Sequence, residues 1–458
     1  MSVRAVVMAA GKGKRMNSDT PKVLFEVAGR PLVSWVVDAV AAAGIDEITV
    51  VVGHGARAVA DSLPEGVRTA LQSEQLGTGH AVATALETMG DVTGDTVLVV
   101  PGDTPLLRPE SLRGLLDARG AADAALLTAE VPDPTGYGRV IRDGDRVEAV
   151  VEERDATDAQ RAITEVAVST YAFDGAALAA ALAEIGNDNA QGEYYLTDAI
   201  ECLARRGMVR AVAGADPDEV QGVNSLAQLA AVEAMMRRRI LTGWMERGVW
   251  MQDPARTYVD ASVSLEAGAR LYADVHLEGG TSVAAGATVG PGVFAADSVI
   301  GPGARVWYSV LRSARVGKDA EVGPYASLRP GTVMETGSKI GTFVETKATT
   351  IGAGSKVPHL SYMGDATIGE RSNIGAGTIT CNYDGYEKHA TVIGDRVRIG
   401  SDTMLVAPVE VGDDGWTAAG SVISKDVAPG ALGVERSPQR EVAGYAARRA
   451  RRAKKKDD

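Results

Sequence analysis

The C-terminal half of the chain contains the stretch that decides its fold, IGTFVETKATTIGAGSKVPHLSYMGDATIGERSNIGAGTIT, at residues 340–380. Glycine repeatedly follows an aliphatic residue in this half, and most intervals between these aliphatic positions are at or within one residue of a multiple of six. A six-residue repeat with one inward aliphatic side chain and small residues at the turns is typical of a parallel β-helix. The sequence therefore predicts a solenoid over residues 249–435. The repeated pairs are Val289-Gly290, Ile300-Gly301, Val316-Gly317, Val322-Gly323, Ile340-Gly341, Ile351-Gly352, Ile368-Gly369, Ile374-Gly375, Ile393-Gly394, Ile399-Gly400 and Val411-Gly412.

Residues 1–224 follow a different pattern, in which short apolar runs alternate with helical stretches. This alternation predicts an α/β domain with a mostly parallel, doubly wound sheet of the Rossmann-like kind. Ligands bind such sheets beyond the carboxyl ends of the strands. The apolar runs are Ala5–Met8, Ile48–Val52, Thr96–Val100 and Ala124–Ala129, and the helical stretches include Leu32–Ala43 and Gly79–Met89.

Two further segments complete the predicted organisation. We predict a connecting helix at residues 225–248, because they form one amphipathic segment that ends in a charged, methionine-rich stretch. The tail, residues 436–458, is rich in lysine and arginine, and we expect it to be poorly ordered and solvated at its end. Near residue 382 the run CNYDGYEKHA breaks the six-residue period and predicts a loop that leaves the solenoid.

The composition excludes several classes of protein. A length of 458 residues corresponds to two or three domains at roughly 150 residues each. The net charge of −13 argues against general nucleic-acid binding, and no apolar run reaches the ~18 residues of a membrane span. The only two cysteines, Cys202 and Cys381, exclude a disulfide framework and a cysteine-rich zinc site. We therefore expect a cytoplasmic protein without a secretory signal.

A glycine-rich basic segment, AAGKGKRMNSDTPK at residues 9–22, directly follows the first predicted strand. Gly11 and Gly13 allow backbone N–H groups to approach phosphate oxygens closely. The segment matches neither the Walker motif nor GxGxxG, so a solvated basic loop is the alternative interpretation. Its position after a strand favours a loop that binds nucleotide phosphates. Four cations crowd this loop, namely Lys12, Lys14, Arg15 and Lys22.

Asp103 follows another predicted strand, Thr96–Val100, in the turn Pro101-Gly102-Asp103. A carboxylate in this position can hold Mg²⁺ between phosphates. A simple turn residue is the alternative, and the phosphate loop in the same half favours the metal site.

The predicted solenoid carries polar residues that a structural coil does not need. Among them His359 is the candidate catalytic residue, since an imidazole titrates near neutrality and can act as a general base. A structural histidine beside Pro358 is the alternative. The other polar residues are Arg329, Lys347, Tyr362, Asn373, Asn382 and Tyr383, whereas His54, His80, His276 and His389 have no comparable polar neighbours in the sequence, and we expect them to be structural or at the surface.

These motifs together resemble a known family. The pattern AAGxGxRM followed by a lysine is similar to that of sugar-nucleotide pyrophosphorylases. With QLGTGHA at 75–81, GYGRV at 136–140, NAQGEYYLTD at 189–198, GVN at 222–224 and HLSYMGDA to TCNYDG in the solenoid, nearly the whole chain resembles the bifunctional N-acetylglucosamine-1-phosphate uridyltransferase / glucosamine-1-phosphate acetyltransferase family.

The resemblance implies two reactions that form UDP-N-acetylglucosamine for peptidoglycan and lipopolysaccharide-type precursors. The left-handed β-helix would acetylate glucosamine-1-phosphate with acetyl-CoA, and the N-terminal half would transfer UMP from UTP to N-acetylglucosamine-1-phosphate with Mg²⁺. The family also implies a homotrimer with the acetyltransferase site between subunits.

The resemblance assigns roles to individual residues of the N-terminal half. Ala9, Ala10 and Gly11 would belong to the nucleotide loop, and Arg15 and Lys22 would neutralise the triphosphate. Gln72 and the pair Gly77-Thr78 would read the uracil edge. Gly138 and Glu152 would contact the sugar. Asp103 and Asn224 would coordinate Mg²⁺.

Further roles follow for the solenoid, again from the resemblance alone. His359 would be the general base. Arg329 and Lys347 would clamp the sugar phosphate, and Lys347, Tyr362 and Asn373 would orient the sugar. The Ala376 backbone would face the thioester oxygen. The remaining acetyl-CoA contacts would be Asn382, Tyr383, Ser401, Ala419 and Arg436.

The chain departs from the family pattern at two places. Lys14 stands where the family usually has Thr or Ser. Ala167, in the sequence Glu165-Val166-Ala167-Val168-Ser169, stands where the family has an Asn that contacts the sugar. Two alternatives to a bifunctional enzyme stay open at this stage. One is a nucleotidyltransferase with a structural or regulatory β-helix, and the other is a non-enzymatic scaffold built from the same two folds.

Overall fold

The computed structural model describes residues 2–144, 146–213 and 217–454. The chain divides into two compact units, Met1–Ile240 and Leu241–Asp458. The division falls within one long helix, α8, which covers Leu226–Glu246 and matches the predicted connecting helix. None of the described helices is long and apolar enough to cross a membrane.

The first unit is built around a mixed sheet in the order β11-β7-β10-β6-β1-β4-β5, in which β8 pairs with β10 and β9 pairs with β8. The strands are β1 Val3–Met8, β2 Glu26–Val27, β3 Arg30–Pro31, β4 Glu47–Val52, β5 Arg68–Leu71, β6 Thr96–Pro101, β7 Ala124–Glu130, β8 Gly138–Asp143, β9 Arg146–Val151, β10 Glu165–Asp174 and β11 Val209–Ala213. The helices are α1 Leu32–Ala42, α2 Ala56–Asp61, α3 Thr78–Met89, α4 Pro109–Arg119, α5 Asp158–Arg161, α6 Gly175–Leu182 and α7 Leu196–Arg206.

Both faces of this sheet are buried, which explains its continuous apolar runs. Alternate residues of β1 enter different cores: Val6 packs with α3, α6 and α7, whereas Ala5 and Val7 pack with α1 and α4. Strands β1, β4, β5 and β6 are parallel, and β10 is antiparallel to β6 and β7. The carboxyl ends of β1 and β6 therefore meet at one edge, where the predicted phosphate loop and Asp103 follow them.

The second unit is a stack of short parallel strands, and the predicted β-helix is confirmed. Among the described residues the strands form three sheets of 11, 10 and 9 members, each strand pairing with the equivalent strand of the next coil. Most strands bury one aliphatic side chain, such as Val322, Leu328 and Ile340, in a single continuous core.

The bounds of these strands follow by sheet. The first sheet contains Trp250–Met251, Arg270–Leu271, Thr288–Val289, Arg305–Val306, Glu321–Val322, Lys339–Thr342, Lys356–His359, Asn373–Ile374, Arg398–Ile399, Trp416–Thr417 and Leu432–Gly433. The second contains Thr257–Val259, Val275–Glu278, Val293–Ala296, Val310–Arg312, Ser327–Leu328, Glu345–Lys347, Tyr362–Gly364, Ile379–Cys381, Met404–Val406 and Val422–Ile423. The third contains Ser264–Leu265, Ser282–Val283, Val299–Ile300, Arg315–Val316, Val333–Met334, Thr350–Ile351, Ala366–Ile368, Thr391–Ile393 and Val409–Val411.

The C-terminal tail differs from the prediction. Helix α9 forms at Tyr445–Lys454, so the expectation of a poorly ordered tail is wrong for this segment. Its sequence, YAARRARRAK, consists mainly of alanine and arginine, which are among the strongest helix formers. Residues 455–458, for which disorder was predicted, lie outside the described residues.

Candidate functional site

The Gly102-Asp103 turn is held at the carboxyl edge of the sheet by backbone contacts. Gly102 N–H donates to the Met8 carbonyl at 2.9 Å, which fixes the turn beside the end of β1. The Asp103 carbonyl accepts from Val223 N–H at 3.0 Å. That second bond brings the distant GVN segment to the turn, so that Asn224 reaches the same place as Asp103.

The ammonium group of Lys22 lies between the two predicted metal ligands, Asp103 and Asn224. Lys22 Nζ donates to Asp103 Oδ2 and, at 3.0 Å, to Asn224 Oδ1. The Lys22 and Asp103 side chains are only 15% and 16% exposed, so the contact is largely shielded from solvent. The oxygens of Asp103 and Asn224 therefore point to a common cation, and hard oxygen donors of this kind fit Mg²⁺.

The described residues include no group of three or more His, Cys, Asp or Glu side chains that could hold a metal ion. A metal held at Asp103 and Asn224 would thus rely on few protein ligands. This fits Mg²⁺, which usually keeps several waters and binds substrate phosphates.

The phosphate loop passes so close to Lys22 that there is no space for a side chain at position 13. Gly13 has φ +57°, and a Cβ there would lie 2.7 Å from Lys22 Cβ. Glycine thus lets the loop pass over the base of Lys22. Gly11 and Arg15 are exposed, and Arg15 makes no ion pair with the described residues, so its guanidinium is free to meet an anion. The Lys14 side chain lies outside what the structure describes.

Ala9 and Ala10 continue the end of β1 and are almost fully buried. Ala9 N–H donates to the Val51 carbonyl at 2.9 Å, so this part of the loop is fixed to strand β4. Of the predicted loop residues, the structure therefore brings Lys22 to Asp103, whereas Ala9 and Ala10 anchor the loop.

Gln72 follows β5 and is buried at 3% exposure. Its Nε2 donates to the Gly77 carbonyl at 3.1 Å and lies 3.0 Å from His80 Nδ1. Since Nε2 is the donor to Gly77, His80 Nδ1 accepts its other proton. Gln72, Gly77 and the exposed Thr78 are therefore brought together at the start of α3.

This contact corrects one sequence-based expectation. His80 has a polar partner, Gln72, although its sequence neighbours suggested none. Two other histidines also have defined contacts: His389 Nε2 lies 2.7 Å from Asp384 Oδ2, and His276 stacks on Tyr258 with ring centroids 4.3 Å apart.

Gly138 and Glu152 lie side by side, as two contacts of one sugar require. A Cβ on Gly138 would lie 3.8 Å from the Glu152 carboxyl group. Thr197 Oγ1 donates to Glu152 Oε1 at 3.2 Å. Burial raises the pKa of the Glu152 carboxyl; the Thr197 hydrogen bond opposes this shift, and nearby carboxylates reinforce it.

Ala167 lies opposite Gly138 in the pairing of β10 with β8. It is 4% exposed, and its side chain belongs to the core between the sheet and α3, α6 and α7. The pairing of β10 with β7 becomes irregular just after it, and Ser169 there has φ +54°. The position of the missing Asn is therefore adjacent to both predicted sugar contacts.

Tyr137 is a residue of this region that the sequence reasoning missed. Burial raises the pKa of its phenol, and the Asp103 carboxylate raises it further. The GYGRV motif was the available signal, but only its second glycine was used.

In the solenoid, four predicted residues occupy one corner of successive coils. Lys356 pairs with Asn373, Asn373 with Arg398, and Arg398 with Trp416. Three residues after each paired position come the members of this corner column, which are His359, Ala376, Ser401 and Ala419.

The corner column is accessible along its length. The His359 side chain is exposed and makes no hydrogen bond to the described residues, and the Ala376 N–H likewise has no acceptor among them. Arg436 Nη1 donates to the Ala419 carbonyl at 2.8 Å, so the last predicted acetyl-CoA contact joins the column.

Three cations of the solenoid, Lys347, Lys388 and Arg329, lie close to one another. Lys347 Nζ donates to Asp365 Oδ1 at 2.8 Å, and this contact is the main cause that raises the pKa of Lys347. The Lys347 ammonium in turn lowers the pKa of Lys388, and Arg329 adds to the effect. Arg329 itself pairs with Glu345 at 2.9 Å. The two residues predicted to clamp the sugar phosphate, Arg329 and Lys347, therefore have a further cation, Lys388, near them.

Lys388 could not be identified from the repeat, because it lies in the loop that leaves the solenoid. Its presence in CNYDGYEKHA beside the TCNYDG motif was the one available signal.

Asn382 and Tyr362 complete this group around Asp365. Asn382 Nδ2 donates to Asp365 Oδ2 at 2.6 Å. Burial opposes ionisation of Asp365, but the bonds from Lys347 and Asn382 hold the pKa of its carboxyl below the usual value. A Cβ on Gly364 would lie 2.4 Å from the Tyr362 hydroxyl and 2.5 Å from Asn382 Nδ2, so glycine leaves both polar groups in place.

No described contact joins the two predicted residues Asn373 and Tyr383 to this group. Asn373 lies on the first sheet between Lys356 and Arg398, and Tyr383 is 60% exposed with its hydroxyl bonded to the Gly385 carbonyl. Asn373 is half-buried and Tyr383 is exposed.

Residues 5–191 match the family described as MobA-like NTP transferase domain. Proteins called "Bifunctional protein GlmU" are similar over almost the full chain. That of Streptomyces avermitilis is 50% identical over 97% of this chain and 94% of its own length. That of Streptomyces coelicolor gives the same values, and that of Desulfitobacterium hafniense strain DCB-2 is 46% identical over 96% of this chain and 98% of its own length. The matches therefore include both units.

Proposed function

The chain belongs to the family of bifunctional GlmU proteins, and on this basis we propose which reaction each of its two units catalyses. The protein is an enzyme that acetylates glucosamine-1-phosphate with acetyl-CoA in the solenoid. The first unit then transfers UMP from UTP to N-acetylglucosamine-1-phosphate, releasing pyrophosphate. The observation that carries this function is the identity of about half the residues across both units. A nucleotidyltransferase with a merely structural solenoid is not favoured, because the relatives extend over the whole solenoid.

In the first unit, the sugar phosphate attacks the α-phosphorus of UTP in line with the leaving pyrophosphate. The protein positions the two substrates and neutralises charge, so no covalent intermediate is needed. Arg15 and Lys22 face the triphosphate, and Gln72, Gly77 and Thr78 face the uracil. Asp103 and Asn224 would hold Mg²⁺, which would supply positive charge to the phosphates. The shared contact of both oxygens with Lys22 supports this pair.

In the solenoid, the amine of glucosamine-1-phosphate attacks the acetyl thioester, so that an amide C–N bond forms, the C–S bond breaks and CoA leaves as its thiol. His359 accepts the amine proton, and its exposed, unbonded imidazole supports this role. The Ala376 N–H stabilises the developing oxyanion. Arg329, Lys347 and Lys388 bind the phosphate, because charge-assisted pairs suit an anion. Acetyl-CoA lies along the corner column, near Asn382, Tyr383, Ser401, Ala419 and Arg436, and Tyr362 and Asn373 orient the sugar.

The assay that tests the first activity is pyrophosphate release from UTP and Mg²⁺ with three sugars. N-acetylglucosamine-1-phosphate, glucose-1-phosphate and glucosamine-1-phosphate are compared. We expect the parent protein to prefer N-acetylglucosamine-1-phosphate. In the Ala167→Asn variant, the preference for this sugar over glucose-1-phosphate should increase about ten-fold, because one directional polar contact is restored.

The matched control is Ala172→Asn on the same strand, β10, which is also fully buried. This variant has the same destabilising buried amide but lacks the predicted contact with the sugar. An unchanged preference in a folded Ala167→Asn variant would remove position 167 from the sugar site. Absence of pyrophosphate release with every sugar would refute the first activity altogether.

An exposed ladder of apolar side chains supports the homotrimer. Tyr308, Tyr325 and Phe343 stack at one corner of successive coils, with ring centroids 5.8 and 5.6 Å apart. Leu360 continues the ladder beside His359, and all four residues have positive φ. They are 45%, 57%, 59% and 62% exposed, and a row of this kind is typical of an interface. A second copy of the chain seated on the ladder would close the open side of the acetyltransferase site.

Phe343→Glu is expected to convert the trimer to smaller species and to lower acetyl transfer, because it places a charge in the proposed interface. Sedimentation velocity measures the size, and uridylyl transfer reports that the first unit is intact. Tyr445→Glu is the matched control, since Tyr445 is equally exposed at 59%. A trimer that persists in Phe343→Glu contradicts this use of the ladder.

Three further statements remain predictions. They are the domain bounds at 224/225, 248/249 and 435/436, the cytoplasmic location, and the supply of peptidoglycan and lipopolysaccharide-type precursors.

A further inference from the structure

The loop that leaves the solenoid, residues 382–389, is folded as a small hairpin. His389 N–H donates to the Asn382 carbonyl at 2.8 Å, and Asp384 N–H donates to the Glu387 carbonyl at 3.2 Å. Tyr383 and Lys388 form an antiparallel bridge between its two arms. Lys388 therefore lies on the returning arm, directly before His389.

One carboxylate ties the tip of this hairpin to its returning arm. Asp384 Oδ1 accepts from the N–H groups of Tyr386 and Glu387, both at 2.8 Å. Its other oxygen, Oδ2, accepts from His389 Nε2 at 2.7 Å. The Glu387 N–H, His389 and the Tyr386 N–H hold the pKa of Asp384 well below the usual value, so the acceptor stays ionised.

Lys388 needs such a restraint, because its surroundings repel it. It is exposed, and Lys347 and Arg329 are both close enough to lower the pKa of its ammonium. The Asp365 carboxylate attracts it but is already paired with Lys347. Without a substrate phosphate, repulsion from two cations favours movement of the hairpin away from the clamp.

We propose that Asp384 and His389 are positioning residues, which hold the hairpin so that Lys388 stays within reach of the sugar phosphate. This inference rests on the proposed role of Lys388 in the acetyltransferase. In this proposal, Asp384 and His389 contact no atom of the substrate and act only through Lys388. It also accounts for the contact of His389, which its sequence neighbours did not suggest.

The test compares steady-state acetyl transfer by the full-length His389→Phe and His389→Gln variants. His389→Phe removes the donor to Asp384 and keeps a ring, and we expect the KM for glucosamine-1-phosphate to rise about ten-fold with kcat nearly unchanged. His389→Gln keeps an N–H donor and should recover most of the lost affinity. His276→Phe is the matched control, as it changes a histidine of the same solenoid that stacks on Tyr258.

A double variant separates positioning from a general loss of structure. In a Lys388→Ala background, His389→Phe should cause no further rise in KM, because the pair has nothing left to position. Effects that multiply in the double variant, or a normal KM in His389→Phe alone, would overturn the positioning role. Lys388→Ala by itself tests the underlying assignment: a raised KM supports it, and an unchanged KM overturns it and the positioning role together.

Discussion

Replacement of Asp103 by Asn is expected to lower uridylyl transfer about a thousand-fold and to leave acetyl transfer unchanged. The substitution keeps the shape of the side chain and removes the charge that would hold Mg²⁺ against the phosphates. Removing a charge that matters mainly in the transition state lowers kcat more than it raises KM. Pyrophosphate release and thioester consumption, measured on the same preparation, give the two rates.

The structure adds a second consequence for this variant. Lys22 loses its carboxylate partner in a place where both side chains are about five-sixths shielded, so some stability of the first unit is lost as well. A thermal melt must therefore accompany the assay. Asp133→Asn is the matched control, since Asp133 is an exposed aspartate of the same unit that accepts from Thr135 N–H at 3.1 Å. Equal losses of both activities in a folded Asp103→Asn variant would contradict separate sites.

The periodicity of the sequence was sufficient to predict both folds. In the solenoid, buried aliphatic residues repeat in sequence as they do in space, so Val316, Val322 and Ile340 could be predicted directly from the pattern. In the first unit the predicted strand Ala5–Met8 begins at Val3, because pairing with Thr96 and Val97 of β6 extends it. Strand ends depend on such partners, which a local pattern does not contain.

The candidate sites show the same division between local and long-range information. The phosphate loop and the Gly-Asp turn are local motifs and could be recognised. The contact of Gln72 with His80 depends on how α3 returns beside β5, and the approach of Lys388 to Lys347 depends on how a loop folds back over two coils. Neither contact can be predicted from the residues that are adjacent in the sequence. The tail was misjudged because its charge was considered and its helix propensity was not.

His359→Ala is expected to abolish most acetyl transfer, about a thousand-fold in kcat, while uridylyl transfer continues. A positioned general base typically contributes this order of magnitude, because the amine must lose a proton as it attacks the thioester. His359 makes no hydrogen bond to the described residues, so its removal should leave the coil intact. The KM for acetyl-CoA should change little, since Ala419 and Arg436 lie further along the corner column.

A dependence on pH distinguishes a lost base from a damaged site. As the pH rises, more of the amine substrate is already deprotonated in solution, so the residual rate of His359→Ala should climb towards that of the parent enzyme. A site distorted by the substitution would also meet more free amine, but its rate would stay below that of the parent enzyme at high pH. His276→Ala, which removes an imidazole from the same solenoid, should retain full acetyl transfer. Nearly normal kcat in His359→Ala would exclude His359 as the base, and another group would then have to accept the amine proton.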